Sequence, residues 1–281
     1  MTDIHCHPWD LQKYLTDPEK ERRETGAAIL ASSWNLKQFE YHESLKQKAE
    51  EEGAPKVFCG FALHPQLTAD MDFSASAGLE LLQSLGVQGR LDAVGETGFD
   101  LYGERFRSGE KIQDEIFACH LEIAVKYELP IVLHVRRAMH KIFPLANELK
   151  KIPAVVFHSW PGIKAEGEAL LKRGINVFFS FGTVVLKNHK EAMACAAFFP
   201  PGRILLETDA PYQPLRGKNF SSWQDLNSIC SGIAALRKEA GNTVSSAQEL
   251  REQAAANFYK VFSDATGSWI TPAKLPCADD H

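Results

Sequence analysis

Residues able to bind a divalent cation recur in this chain at one kind of structural position. Asp3, His5 and His7 open it in the segment DIHCH. Glu96, His134, His158 and Asp209 follow, each at or near the end of a separate apolar run: LDAVGE, PIVLHV, PAVVFHS and RILLETD. Imidazole nitrogens and carboxylate oxygens are ligands for Zn, Mn or Mg, and a cation held among them generates a strong nucleophile from water near neutral pH. The set therefore points to metal-assisted hydrolysis. Two histidines at spacing two also occur on exposed strands, and a strand-end histidine is often only hydrogen-bonded. The inference rests on the repetition of one placement on strand after strand, which is how a barrel gathers an active site at one rim.

Side chains alternate along a strand, so Asp3, His5 and His7 are expected on one face and Cys6 on the other. His5, His7, Glu96 and Asp209 are expected to hold one ion. Glu96, His134 and His158 would hold a second, with one Glu96 oxygen for each ion. Gly95 and Gly98 would let ligand or metal approach the backbone closely. Asp3 is expected to orient a ligand histidine through a hydrogen bond. Asp209 doubles as the base that takes a proton from water, and Glu207 sits one layer deeper, as support or as a conditional ligand. His64, in ALHPQ, is placed to bind substrate phosphate or to protonate the leaving group. Arg136 shares parity with His134 and is expected in the mouth, either gripping an anionic substrate with its planar fork or forming a salt bridge at the rim, while Arg137 faces the surface. Asp100 reads either as an orienting group or as a turn residue, and Trp160 either as a pocket wall or as core. His42, His120, His140, His189 and His281 read as surface or packing histidines.

Positioning these groups requires strands. The start of the chain, AAILASS (27–33), VFCGFAL (57–63), LDAVGE, PIVLHV, PAVVFHS, INVFFSF (175–181) and RILLETD make eight short apolar runs. Amphipathic stretches separate most of them. One spans about 35–52, and another shows Ile112, Ile116, Cys119, Ile123 and Tyr127 at helical spacing. Strand–helix alternation implies a parallel sheet, and eight units suit a closed α/β barrel in a single domain, expected over 1–262. Two helical patterns between Trp223 and Phe262 are expected to cover the outside of the barrel, and 263–281 reads as a tail without periodicity.

Composition narrows the function class. The chain has 281 residues, 44% hydrophobic, with a net charge of -5. A mildly acidic protein does not coat nucleic acid nonspecifically, so any phosphate contacts must be local. The six cysteines are scattered without a CxxC pair, which reads as reduced thiols. No apolar run reaches membrane-spanning length and no signal segment precedes DIHCH, so a cytoplasmic monomer without membrane attachment is the default expectation.

In order along the chain, DIHCH, ALHPQ, GETGFD, LPIVLHVRRA, FHSWPG, LLETDAPY and ANFYKVF resemble the motifs of the TatD family of metal-dependent deoxyribonucleases, from about Asp3 to Phe262. The resemblance implies a (β/α)8 TIM barrel and a pair of divalent ions, Mg, Mn and Zn being equally compatible. It implies His5, His7, Glu96, His134, His158 and Asp209 as ligands, and adds support for Glu207 and His64 as active-site residues. It also implies DNA as substrate, with 3′-to-5′ cleavage of single strands as the mode of several members. Two segments depart from the family pattern. HCHPWD stands where an HCHLD-like segment is usual, and RGKNFSSW lacks the proline that tends to follow the asparagine. Both lie where the substrate entrance is expected. The alternative is the same metal site hydrolysing an amide, lactone or aminoacyl ester, because fold does not fix substrate. A non-catalytic binding protein is disfavoured, since every expected ligand is present.

Overall fold

Short runs of Val, Ile, Leu and Phe, buried on both faces, pair only with parallel neighbours that helices cover from outside. The computed structural model, which describes residues 1–70 and 72–263, contains eight such strands. They are β1 (Thr2–Cys6), β2 (Ala28–Ser33), β3 (Val57–Phe61), β4 (Ala93–Asp100), β5 (Ile131–Arg136), β6 (Val155–Phe157), β7 (Val177–Phe181) and β8 (Ile204–Leu206). They form one parallel sheet in sequence order, with helices between successive strands, the α/β barrel expected from the alternation. The proposed tail lies, beyond Ser263, outside the described residues, as do His281 and Cys277.

The seam between β8 and β1 closes without a regular ladder. Asp209 N donates to His5 O (3.0 Å) and His7 N donates to Ala210 O (2.7 Å). Asp3 completes the seam: its carboxylate accepts from Thr208 N (3.0 Å), Thr208 Oγ1 (2.6 Å) and its own strand's His5 N (3.1 Å). Asp3 therefore touches no histidine ring. The expectation that it orients one is corrected: it ties together the two strands that carry ligands. Burial raises its pKa to about 7 despite these hydrogen bonds.

Strict alternation also fails in β1. Ile4 packs in the barrel interior with Leu30, Phe58, Val132, Val156, Phe178 and Leu205. His5, its neighbour, also faces inward, with Nδ1 3.0 Å from Ser32 Oγ. The pairing of β1 with β2 shifts register between Asp3 and Cys6, and this irregularity lets successive residues share a side. Cys6 still joins the outer layer under the helices, as expected.

The helices Asp225–Glu239 and Ala247–Val261 correspond to the two patterns near the C-terminal end of the barrel. The first packs outside. The second does more than cover: Phe258, Val261 and Phe262 enter the interior cluster, and Phe262 stacks on Phe58 with ring centroids 3.9 Å apart. The barrel is thus plugged at the end opposite the ligands. A capping box starts this helix, Ser246 and Glu249 each satisfying the other's backbone N–H.

Two buried histidines hold the loops that carry candidate ligands. His42 Nε2 accepts from Trp9 N (3.2 Å) and its Nδ1 meets Ser33 Oγ (2.7 Å). His120 Nε2 accepts from Leu63 N (3.0 Å), while Nδ1 donates to Ile116 O (2.6 Å). These are packing histidines, whereas His140 and His189 are exposed. Burial depresses the pKa of His42 to about 3 and that of His120 to about 4, so the fold accepts only the neutral rings.

An acid-lability prediction follows from the sign of these shifts. The unfolded chain takes up protons near pH 6.5 and the folded chain does not, so the contribution is complete above about pH 6.5 and is lost as pH falls toward 4. Urea unfolding across this range is expected to show a decline of up to about 1.4 kcal/mol per pH unit for each histidine. His120→Asn should be less stable at pH 7.5 yet lose less on acidification; parallel pH profiles for the two proteins would remove His120 from this role.

Candidate metal centre

Glu96, expected at a strand end, lies near the middle of β4, which runs on to Asp100, and its carboxylate divides the site. Oε2 faces His5 Nε2 (3.1 Å) and His7 Nε2 (3.8 Å). Oε1 faces His134 Nδ1 (2.8 Å), His64 Nε2 (3.2 Å) and His158 Nε2 (3.6 Å). Each oxygen thus addresses a separate set of imidazoles, the arrangement expected of a carboxylate between two cation positions. The glycines around it serve a different purpose from the one expected. A Cβ on Gly95 would lie 2.6 Å from Val132 Cβ, and one on Gly98 (φ +133) would lie 2.3 Å from His134 O. They admit strand β5, not a ligand.

Among the described residues, the groups close enough to share an ion are His5, His158 and Asp209; His5, His7 and Glu96; and His64, Glu96 and His134. His158 reaches both sides of the expected partition, its Nε2 3.6 Å from Glu96 Oε1 and 3.9 Å from Asp209 Oδ2. His158 stands with His5, ring centroids 4.1 Å apart, and farther from His134, at 6.0 Å. His64 joins Glu96 and His134, its Nε2 3.2 Å from the same Glu96 oxygen. The histidine rings are oriented by neighbours behind them. His158 Nδ1 donates to Glu207 Oε2 (3.1 Å), leaving Nε2 to face the site. His134 shares Nε2 with Asp100 Oδ2 (3.2 Å) and turns Nδ1 to Glu96. Asp100 is therefore an orienting group, itself held by Gln66 Nε2 (2.7 Å) and Tyr102 N (2.9 Å). His64 Nδ1 accepts from Gln66 N (3.2 Å), which places the proton of the neutral ring on Nε2, toward Glu96.

Asp209 follows β8 with its backbone in the left-handed region (φ +53). Its Oδ1 lies 3.7 Å from His5 Nε2 and 3.6 Å from His7 Nε2. Oδ2 accepts from Gln213 Nε2 (2.8 Å), and the same amide donates to Ser159 Oγ (2.8 Å). Ser159 in turn donates to Glu207 Oε1 through Oγ (2.6 Å) and N (2.9 Å). A continuous chain therefore runs from Asp209 through Gln213 and Ser159 to Glu207 and His158. Ser159 (φ +43) and Gln213 (φ +56) share the left-handed conformation of Asp209, which costs of order 1–3 kcal/mol each and persists where surroundings over-determine it. Glu207 is fully buried one layer below, as expected.

The electrostatics favour replacing protons by a cation. Burial opposes charge on every group here, yet the Glu207, Asp209 and Glu96 carboxylates overcome it at His158 and raise its pKa to about 10. His134 is raised against burial by Asp100 and Glu96, and His7 by Asp209 and Glu96. His5 is lowered, by burial first and then by the charge of His158. Glu96 is held well below the usual carboxylate range, against its burial, by His64, His5 and His158. His5 Nε2 and His7 Nδ1 are buried without a hydrogen-bond partner. An orphaned imidazole nitrogen aimed at two carboxylates suits a metal ion, and the mixed His–carboxylate set suits a divalent one.

Arg136 stands at the rim, about half exposed. Its guanidinium lies 3.9 Å from the centre of the Tyr102 ring and 3.9 Å from Asp100 Oδ2. It meets the same carboxylate as His134 but does not enter the ligand cluster. Trp160 is core, packed edge-on against Phe157, Phe179 and Phe199. Ser32, Ser159, Gln66 and Gln213 were missed by sequence reasoning. Ser32 had a signal, since it shares parity with the inward Ala28 and Leu30; Gln213, in an irregular loop, had none.

If Glu207 holds the His158 ring for a cation, Glu207→Ala should weaken metal binding by about 10–100-fold. Calorimetric titration with Mn or Zn reads this directly, and undiminished affinity would deny Glu207 that part.

The chain matches known proteins over nearly its whole length. The family model described as TatD related DNase covers residues 2–263. A Musicola paradisiaca protein named 3′-5′ ssDNA/RNA exonuclease TatD is 30% identical over 196 residues, covering 67% of this chain and 72% of that one. An Escherichia coli K12 protein named uncharacterized metal-dependent hydrolase YjjV is 28% identical over 226 residues, 76% of this chain and 81% of its own. The crystal structure of YjjV, a TatD homologue, superposes with a TM-score of 0.74 at 25% identity, covering 93% of this chain and 97% of that chain.

Proposed function

Because the chain belongs to the TatD-related DNase family of metal-dependent hydrolases, we propose that it is a deoxyribonuclease that trims single-stranded DNA from the 3′ end with two divalent ions. The observation that carries this reading is the division of Glu96, one oxygen toward His5 and His7 and the other toward His134 and His64. The ligands proposed are His5, His7, Glu96, His134, His158 and Asp209. When bound, the ions supply Lewis acidity and activate water for attack on phosphorus. The ligand types do not select among Mg, Mn and Zn.

The protein groups divide the remaining work. Asp209 keeps Oδ2 on Gln213 and leaves Oδ1 toward the site, so one oxygen is available to take the proton of the attacking water. Glu207 holds the His158 ring and, through Ser159 and Gln213, the Asp209 carboxylate. His64, carrying its proton on Nε2, supports a role as donor to a phosphate oxygen or to the leaving oxygen. Arg136, at the rim beside Asp100, pairs with an anionic substrate oxygen through its planar fork. Relatives named as 3′-5′ ssDNA/RNA exonucleases support the polarity and the preference for single strands. Free cysteines among the described residues fit a reducing cytoplasm. No helix among the described residues is long and apolar enough to cross a membrane.

The direct test is shortening of 5′-labelled single-stranded DNA with Mg, Mn or Zn. A ladder growing from the full-length band downward is expected, abolished by His134→Ala and slowed by about 10²–10⁴-fold by Asp209→Asn, the range for loss of a general base. Intact DNA with all three metals, while elemental analysis shows a loaded protein, would end the DNA reading and turn the search to amides, lactones and aminoacyl esters.

A further inference from the structure

One flank of the mouth continues into a surface trough. A cavity of about 640 Å³ lies beside the site, bordered by Arg136, Arg137, His140, Ser159 and Glu166. A second, of about 520 Å³, is bordered by Tyr102, Arg107, Glu110, Arg137 and His140. Arg137 and His140 border both, so the two cavities lie side by side along this face. Together they reach from Ser159, next in sequence to His158, past the ends of β5 and β4 to Arg107.

The path carries more arginines than acids, with Arg107 3.9 Å from Glu104 and Arg136 3.9 Å from Asp100. The chain as a whole carries -5, yet three arginines line the trough. Its acids are already engaged: Glu110 accepts from Lys141 Nζ (2.7 Å), and Glu166 accepts from Ile163 N (2.9 Å). The Arg137 guanidinium has no such partner among the described residues. Arg137 also occupies a left-handed backbone conformation (φ +59), uncommon outside glycine. Tyr102, 50% exposed, offers an aromatic face in the same path beside the Arg136 guanidinium. Cations that track a backbone, interleaved with an aromatic ring, form a surface for single-stranded nucleic acid. The ligand cluster itself is recessed and mostly buried, which suits the end of one strand better than a duplex.

We propose that this trough is the track for the strand that trails the scissile phosphate. Arg137 and Arg107 pair with successive backbone phosphates, and Tyr102 receives a base. The proposal rests on the nuclease reading and adds to it the direction in which the substrate leaves the metal centre. Arg137 is then a binding residue, not the plain surface residue that its strand parity implied.

Salt dependence reads phosphate contacts directly, because each contact on a single strand contributes about 0.7 to the slope of log affinity against log salt. Binding of a labelled, cleavage-resistant phosphorothioate oligothymidylate of about 12 nucleotides to the metal-loaded protein would be followed by fluorescence anisotropy across a salt series. The double variant Arg107→Ala/Arg137→Ala is expected to lose about 1.4 from the slope, and Arg137→Lys to keep it. Arg173→Ala is the control for net charge, since Arg173 follows the helix Lys164–Lys172 at the opposite end of the barrel. An unchanged slope in the double variant, or an equal loss in the control, overturns the track. If wild type cleaves DNA and the slope does not move, only the track fails. If wild type neither binds nor cleaves it, the nuclease reading fails and takes the track with it.

Discussion

A carboxylate buried among imidazoles is tolerated only where each of its oxygens has a compensating partner, and Glu96 imposes that condition on the mouth of this barrel. Removing an ion from water costs several kcal/mol even after relaxation. Here the compensation comes from His5, His7, His64, His134 and His158, delivered by four different strands and their following loops. None of these rings is useful unless it is held in the right tautomer and plane. Ser32 therefore stands behind His5, Asp100 behind His134 and Glu207 behind His158. The demand propagates outward: His42 and His120, neutral because they are buried, fasten the loops that bear His7 and His64.

The same condition explains why the seam of the barrel is built from polar contacts. β1 carries His5 and β8 leads into Asp209, so an error in their relative height would displace one from the other. Asp3 fixes that height by accepting from Thr208 and from the His5 backbone at once. At the far end the requirement is only to exclude water, and Phe58, Phe258 and Phe262 meet it by ring stacking. One end of the barrel is thus specified by directional hydrogen bonds and the other by apolar packing, and the first carries the left-handed backbones at Ser159, Asp209 and Gln213.

Much of this was legible because period-two alternation and strand-end placement are local properties. Eight apolar runs gave eight strands, and each candidate ligand lies at the mouth of the barrel. The failures share a physical origin. The irregular pairing in β1 sends Ile4 and His5 to the same side, which no alternation rule allows. Gly95 looked like space for a ligand but is space for Val132, because the distance between neighbouring strands is not encoded in either strand alone. The helix Ala247–Val261 contributes to both layers: Leu250 and Ala254 pack outside and Phe258 inside, a division set by where the helix crosses the barrel floor.

Gln213 shows what lies beyond such reading. It sits in an irregular stretch after β8, with no periodicity to orient it, and nothing about an isolated glutamine marks it as important. Yet its amide occupies one oxygen of Asp209 and connects it to the hydroxyl that Glu207 also binds. An amide serves here where a lysine would not: it donates two hydrogen bonds without adding a charge that would compete with a cation for the carboxylate. A carboxylate with one oxygen already engaged presents the other in a defined direction, and general-base chemistry depends on that direction. The loop's irregular backbone is thus part of the site, since an extended conformation at position 213 would carry the amide away from both partners.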